Sequence, residues 1–331
     1  MKAQNFPPTT LARSSKKKQS LAIGRALSAI WQDHLQTLER ELSVVLGGVD
    51  IEALHRFRTA LRKTRALLKI FAELLPEARQ FDDEFRWLAK PTSAIRDVDI
   101  LLQQARRQPL DGDVTPILVA LEARRDQALA EFAAVVNSRQ FRALLLKWRT
   151  YIVTLASPVV TSTSPQHSSA FAVHGKLKTV LKYLLLRQTH KLLKKGRRLH
   201  PQHASSRRLH KLRIRGKNLR YLIDSFPMLL RNDAIRSMRK RLGKLQDILG
   251  QHQDSVMTAT YLTTLRNNAP HNNAKDNDNN DKSNDEQLRA RDTASAFDHW
   301  IEMAQRQQLL ARLQYHNALL KLARASKQLP S

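Results

Sequence analysis

Leu54-His55-Arg56-Phe57-Arg58-Thr59-Ala60-Leu61-Arg62-Lys63-Thr64-Arg65-Ala66-Leu67-Leu68-Lys69-Ile70-Phe71 is the stretch from which the fold can be read. Successive residues of an α-helix turn by about 100°. His55, Arg58, Arg62 and Arg65 step by three, four and three, so they form one stripe within an arc of roughly 80° and about 15 Å long. Leu54, Phe57, Ala60, Leu61, Thr64, Leu67, Leu68 and Phe71 fill the neighbouring arc and predict the core face. No acidic residue occurs from 53 to 72. A positive stripe that borders a core face suits a seam between helices, and its length suits an elongated polyanion.

The stretch recurs. His210, Arg213, Lys217 and Arg220 repeat the spacing, and an offset of 155 residues aligns Leu54 with Leu209, Leu67 with Leu222 and Phe71 with Phe226. Further on, Leu88 and Asp97 align with Leu245 and Asp254 at an offset of 157. This is an internal duplication and predicts two related halves. Lys69 extends the first stripe by one turn, whereas Asp224 takes that place in the second.

Composition agrees. The 331 residues carry 57 Lys and Arg against 29 Asp and Glu, a net charge of +28, which points to anionic partners. Five of the acids fall between 267 and 287 beside two lysines, so the rest of the chain is more basic still. The absence of cysteine excludes disulfides, a thiolate nucleophile and Cys-type zinc sites. The first residues contain no apolar signal region and no stretch approaches a membrane span, so a cytoplasmic protein without a membrane span is expected.

Scarce glycine, abundant Leu, Ala, Arg, Gln and Lys, and apolar steps of three and four predict an all-α fold. Helices are expected at 19–46, 51–75, 77–107, 115–155 with a break near Asn137-Ser138, 169–198, 205–229, 232–266 and 286–327. These form two antiparallel bundles of about four helices, one over 19–156 and one over 169–327. Residues 1–18 read as a disordered basic tail, 157–168 as a linker, and the Asn/Asp-rich segment at about 267–287 as a disordered loop. Pro91 lies inside a helical pattern and predicts a kink or break.

Further cations fall into rows. Arg187, His190, Lys194 and Arg197 step by three, four and three, with Lys191 and Arg198 alongside. Arg236, Arg239 or Lys240, and Lys244 form a similar row. Rows of like charge repel unless a counter-anion is expected. Arginine supplies a planar fork for phosphate oxygens, lysine a mobile point charge, and histidine a further donor.

Rival readings use the same residues. Catalysis on a phosphate polymer would draw on Asp97, Asp99, Asp247 and Asp254, the only regularly placed carboxylates; pairing with arginines is the simpler role, and a non-enzyme without cofactor is expected. His200, His203 and His210 lie close in sequence, but the basic stripe and Arg207 and Arg208 oppose a bound metal. Nucleic-acid binding through the same groove is the leading alternative. Against it, Trp31, Trp87, Trp148 and Trp300 sit in apolar patterns suited to core packing instead of base stacking. A scaffold would need no dense basic seam.

Leu54-His55-Arg56-Phe57-Arg58 with Arg62 and Arg65, and Leu209-His210-Lys211-Leu212-Arg213-Ile214-Arg215 with Lys217, Arg220 and Phe226, resemble the paired signature of the CHAD domain, the conserved histidine α-helical domain. Arg96-Asp97-Val98-Asp99 and Leu245-Gln246-Asp247-Ile248-Leu249-Gly250 with Asp254 also resemble its pattern, and the likeness runs from about residue 20 to 325. The resemblance implies two pseudo-symmetric four-helix bundles around a basic central cavity that binds inorganic polyphosphate, with polyphosphate granules as a natural setting. Carried over by position, the binding residues are His55, Arg58, Arg62, Arg65, His210, Arg213, Lys217 and Arg220. Lys69, Lys191, Lys194, Arg198 and Lys244 are additions from the basic rows. Pro91, Asp224 and the long Asn/Asp-rich segment depart from the family pattern.

Overall fold

The computed structural model describes residues 10–47, 50–107, 114–157, 177–200, 203–268 and 282–329, and every regular element among them is helical. The helices are α1 (Thr10–Leu46), α2 (Ile51–Ile70), α3 (Arg79–Arg107), α4 (Thr115–Val136), α5 (Arg139–Ala156), α6 (Leu177–Arg197), α7 (Ser206–Ser225), α8 (Asp233–Asn268) and α9 (Lys282–Ser326). Short 3-10 helices at Pro76–Ala78 and Pro227–Arg231 follow α2 and α7. The order helix, 3-10 turn, helix is thereby repeated.

Local chemistry sets the ends. Asp50 caps α2 by accepting a hydrogen bond from the Glu52 N–H at 2.7 Å. α2 and α7 end at Ile70 and Ser225 instead of the expected 75 and 229; in α7 the next residue, Phe226, precedes Pro227 and is pushed out of the helical region, and in α2 a turn from Phe71 separates the helix from Pro76. Leu75 (φ −133°, ψ 70°) precedes Pro76, and Phe226 (φ −125°, ψ 81°) precedes Pro227. The break at Asn137-Ser138 is present, and the Ser138 hydroxyl caps α5 by accepting from the Phe141 N–H at 3.1 Å.

Three boundaries correct the sequence reading. α1 begins at Thr10, so residues 10–18, expected as disordered tail, are helical; nothing after Pro8 in that run breaks a helix. α9 begins at Lys282, inside the expected loop. α3 continues through Pro91, so the break expected there as the alternative to a kink is absent. Most of the expected linker, the segment 108–113 and residues 269–281 lie outside the described residues.

The chain divides into two compact units. One comprises Met1–Lys90, Ala133–Lys191 and Asn218–Arg236; the other comprises Pro91–Phe132, Leu192–Lys217 and Ser237–Ser331. The two copies of the repeat are consecutive in sequence, whereas these units interleave along it.

In the first unit α1 packs on α2 and α5. Leu54, Phe57, Ala60, Leu61, Thr64, Leu67, Leu68 and Phe71 are all buried, as the angular reading of α2 requires. Trp148 gathers Phe81, Phe85 and Trp31 at ring-centroid distances of 4.8, 5.1 and 5.1 Å. Phe71 and Phe226, equivalents in the repeat, touch each other with centroids 6.0 Å apart. Arg56 ties α2 to α1 by pairing with buried Glu41 at 2.9 Å while also meeting Asp50.

In the second unit Leu209, Leu212, Met238, Leu242, Leu245 and Leu249 are buried on α7 and α8. A separate cluster joins Val98, Leu101 and Leu102 of α3 to Ile117 and Leu121 of α4, Leu262 of α8, and Phe297 and Trp300 of α9. At Gly196 a Cβ would stand 2.5 Å from Leu319 Cδ2, so α6 and α9 approach closely there. Nearby, the Tyr315 hydroxyl donates to the Leu199 carbonyl at 3.0 Å.

Candidate functional site

The row on α2 lies on the flank that meets α3. Arg58, Arg62 and Arg65 are half-buried and His55 and Lys69 exposed. Arg62 donates to the Arg58 carbonyl at 3.2 Å and to the Thr59 hydroxyl at 3.4 Å, so its guanidinium is braced on its own helix and has no carboxylate partner among the described residues. The lower end differs. Asp82 of α3 accepts from Arg65 Nε through Oδ1 at 2.9 Å, and its Oδ2 sits 3.5 Å from Lys69 Nζ and 3.3 Å from Arg86 Nη2. Burial lowers the Lys69 ammonium pKa, with Asp82 opposing the shift.

His55 occupies an edge position. It lines a small pocket of about 210 Å³ between α1 and α2 with Asp33, His34, Thr37 and Lys63. His34 itself is buried, within 3.1 Å of the Thr64 hydroxyl, and desolvation followed by nearby Lys63 lowers its pKa to about 4.

The row on α7 lies on the flank that meets α8, as far as the second unit contains it. His210 Nδ1 is 2.6 Å from Gln253 Oε1, and Arg213 Nη2 is 3.9 Å from Asp254 Oδ1. Gly250 of α8 faces the Arg213 guanidinium, where a Cβ would stand in ordinary van der Waals contact at 3.7 Å. Burial raises the Asp254 pKa, and Arg213, Lys217 and Arg96 act in the opposite direction. Arg220, which falls in the first unit, sits 3.4 Å from Asp224 one turn along its own helix.

The outlying cations divide. Arg187 of α6 pairs with Glu73, whose pKa that hydrogen bond lowers. Lys191, Lys194 and Arg198 are exposed. Lys244 is exposed on α8 and lines a pocket with Lys240, Arg241 and Lys321 of α9, on a different face from Gln253 and Asp254. The structure thus brings Arg58, Arg62, Arg65 and Lys69 into one row, and His210, Arg213 and Lys217 into another, while Lys244 points elsewhere.

Two of the four regularly placed carboxylates meet cations, Asp99 at Arg125 and Asp254 at Arg213. Asp99 is buried and accepts from Arg125 Nε at 2.9 Å, and Asp247 is exposed. Among the described residues no three His, Cys, Asp or Glu side chains gather where a metal could be held. Sequence reasoning missed Asp82 and Gln253, because each reaches its row from the following helix. Their signal was present only as polar positions on the partner-facing side of α3 and α8.

The Trp31, Trp148 and Trp300 side chains are buried, as expected of core residues, whereas Trp87, expected with them, is only half-buried. No helix among the described residues is long and apolar enough to cross a membrane.

The family profile of the CHAD domain matches residues 29–263. Two uncharacterized proteins from two strains of Mycobacterium tuberculosis are each 27% identical over 223 residues, which is 64% of this chain and 40% of theirs. The chain therefore spans about two fifths of the length of these curated relatives. A crystal structure of the CHAD domain from the plant Ricinus communis aligns with a TM-score of 0.68 at 23% identity, over 91% of each chain. PptA from Streptomyces chartreusis aligns at 0.59 and 16% identity, over 89% of this chain and 98% of its own. These two likenesses are likenesses of fold.

Proposed function

Because this chain belongs to the CHAD domain family, we propose that it binds inorganic polyphosphate along the basic rows of α2 and α7 without turning it over. The observation that carries the reading is the repetition itself. Two helices, 155 residues apart in register, present His-Arg-Arg-Arg and His-Arg-Lys-Arg at the same spacing beside a buried core face. A polymer of evenly spaced phosphates rewards many evenly spaced cations, and arginine forks bind phosphate oxygens with directional hydrogen bonds.

The reading includes two four-helix bundles related by a pseudo-two-fold axis around a basic cavity. The contact of Phe71 with Phe226 supports it, since equivalent residues meet each other only close to such an axis. Exposed Lys191, Lys194 and Arg198 extend the positive surface. A cytoplasmic setting beside polyphosphate granules completes the proposal. Burial of Trp31, Trp148 and Trp300 weighs against a reader of single-stranded nucleic acid, which would place aromatic rings where bases can stack.

The test is a titration of the full chain with long-chain polyphosphate at two salt concentrations. Replacing Arg58, Arg62, Arg213 and Lys217 together by glutamine is expected to weaken binding at least a hundredfold and flatten its salt dependence, with little change in thermal stability. Displacement of polyphosphate by an equal phosphate concentration of RNA or duplex DNA would instead favour nucleic acid. Phosphate release from polyphosphate with Mg²⁺, lost in Asp97→Asn, would show that turnover occurs.

A further inference from the structure

The second unit contains a basic pocket that the two rows do not use. It is a groove of about 640 Å³ between α8 and α9, within the size range of about 300–1,000 Å³ usual for small-molecule sites. Lys240, Arg241 and Lys244 enter it from α8 and Lys321 from α9. At about 100° per residue, its α8 positions are centred roughly 150° around the helix from the residues that meet α7. The pocket therefore opens away from His210, Arg213 and Lys217.

Its chemistry is one-sided. No carboxylate lines it, and no ion pair among the described residues engages any of the four cations. Gln314, Asn317 and Ser237 add neutral hydrogen-bonding groups above a floor that includes buried Ala318. Four like charges facing one concavity raise the energy of the empty state, and a multivalent anion relieves it. Three of the four are lysines, mobile point charges that can close around a compact ligand.

The first copy of the repeat shows what a closed version looks like. The 157-residue offset places Asp83, Glu84 and Trp87 where α8 has Lys240, Arg241 and Lys244. Buried Leu144, Trp148 and Ile152 of α5 share the spacing of buried Ala311, Tyr315 and Leu319 of α9, which sets Tyr151 against Ala318. In the first unit the Tyr151 ring packs on Phe81 and Trp148 with centroids 5.1 and 5.7 Å away, and Glu84 lies 3.5 Å from Lys147. The second copy has neither the aromatic plug nor the acid, and has cations at the aligned α8 positions.

We infer that the α8–α9 pocket is a second anion site, taking a compact ligand that bears several phosphates, either a short linear oligophosphate or a phosphorylated ring. It stands on the pocket alone and does not require the row-bound polyphosphate. No aromatic side chain lines it, which disfavours a nucleotide base.

Calorimetric titration of the full chain with tripolyphosphate and, separately, inositol hexakisphosphate tests this. One of the two probes is expected to bind wild type and R213Q/K217Q equally, and to bind K240D/R241E at least tenfold more weakly; which probe does so decides between linear and cyclic ligands. K244E/K321E, at two exposed positions, should show the same loss without disturbing the core. A318Y should also lose the site, since it installs the first copy's plug. Equal binding in A318Y overturns the pocket and leaves diffuse attraction; so do failure of both probes to bind wild type, and unchanged binding in K244E/K321E. Long-chain polyphosphate binding unaffected by R213Q/K217Q would count against the rows alone and leave this result standing.

Discussion

The helix pairs α2–α3 and α7–α8 carry the same row of cations but balance it differently. In the first pair the acid comes from the neighbouring helix: Asp82 of α3 meets Arg65 and Lys69. In the second, the position of Lys69 is taken by Asp224, which pairs with Arg220 on its own helix, and the position of Asp82 is taken by Arg239. The charges have been exchanged between two neighbouring helices while the count of compensating acids at that end is kept. A second acid, Asp254, meets Arg213 in the α7 row, whereas Arg62 in the α2 row has no carboxylate partner among the described residues. Duplication preserved the row, and divergence settled where its counter-charges sit.

The largest expected effect concerns what the two units share. Each buries one neutral histidine, His34 or His252, with a pKa lowered to about 4 by desolvation first. Unfolding returns each to its ordinary value of 6.5. Between pH 6.5 and 4 the unfolded chain binds more protons, so stability is full above 6.5 and falls as pH drops. Denaturant titrations at pH 6.5 and 5 should differ by about 3 kcal/mol, since the slope approaches about 1.4 kcal/mol per pH unit per histidine only once the unfolded imidazole is mostly protonated. Replacing either histidine with glutamine should halve the slope; a slope left intact would remove that histidine from the account.

Next in size is the contrast between the rows. Arg62→Gln should weaken long-chain polyphosphate binding by about tenfold, and Arg213→Gln by about threefold, since Asp254 already occupies part of the Arg213 charge. Equal losses would mean that Asp254 does not compete. Asp254→Asn sharpens the point and should tighten binding by about threefold. Because the ligand pushes the already raised Asp254 pKa further up, wild type should take up protons on binding, read from calorimetry in buffers of different ionisation enthalpy, and the Asn variant should take up fewer.

The smallest effect is the exchange itself. K69D or D82R alone should cost about 1 kcal/mol, and the double variant, which copies the second pair into the first, should recover most of it. Additive losses would show that the two positions do not interact.

Periodicity made the cores of α2 and α7 legible, because apolar residues recur at steps of three and four along one face: Leu54, Phe57, Leu61, Leu67, Leu68 and Phe71, and Leu209, Leu212, Leu219, Leu222 and Phe226, are buried where the angles put them. The rows were legible for the same reason. What one helix meets across a seam was not. Asp82 lies seventeen residues from Arg65, and nothing in α2 alone announces it. The same limit explains Lys244, whose spacing from Arg236 and Lys240 describes a row but not which neighbour the row faces. The early start of α1 reflects composition overridden by charge: Lys16-Lys17-Lys18 reads as a tail, yet lysine is a good helix former.

The contact of Phe71 with Phe226 also governs the order of events at the ribosome. The first unit needs Asn218–Arg236, so its opening ninety residues cannot be finished when they emerge. At roughly 5–20 residues per second, they wait on the order of ten seconds for the segment that completes them. Through that interval the Phe226 ring that packs on Phe71 has not yet been made.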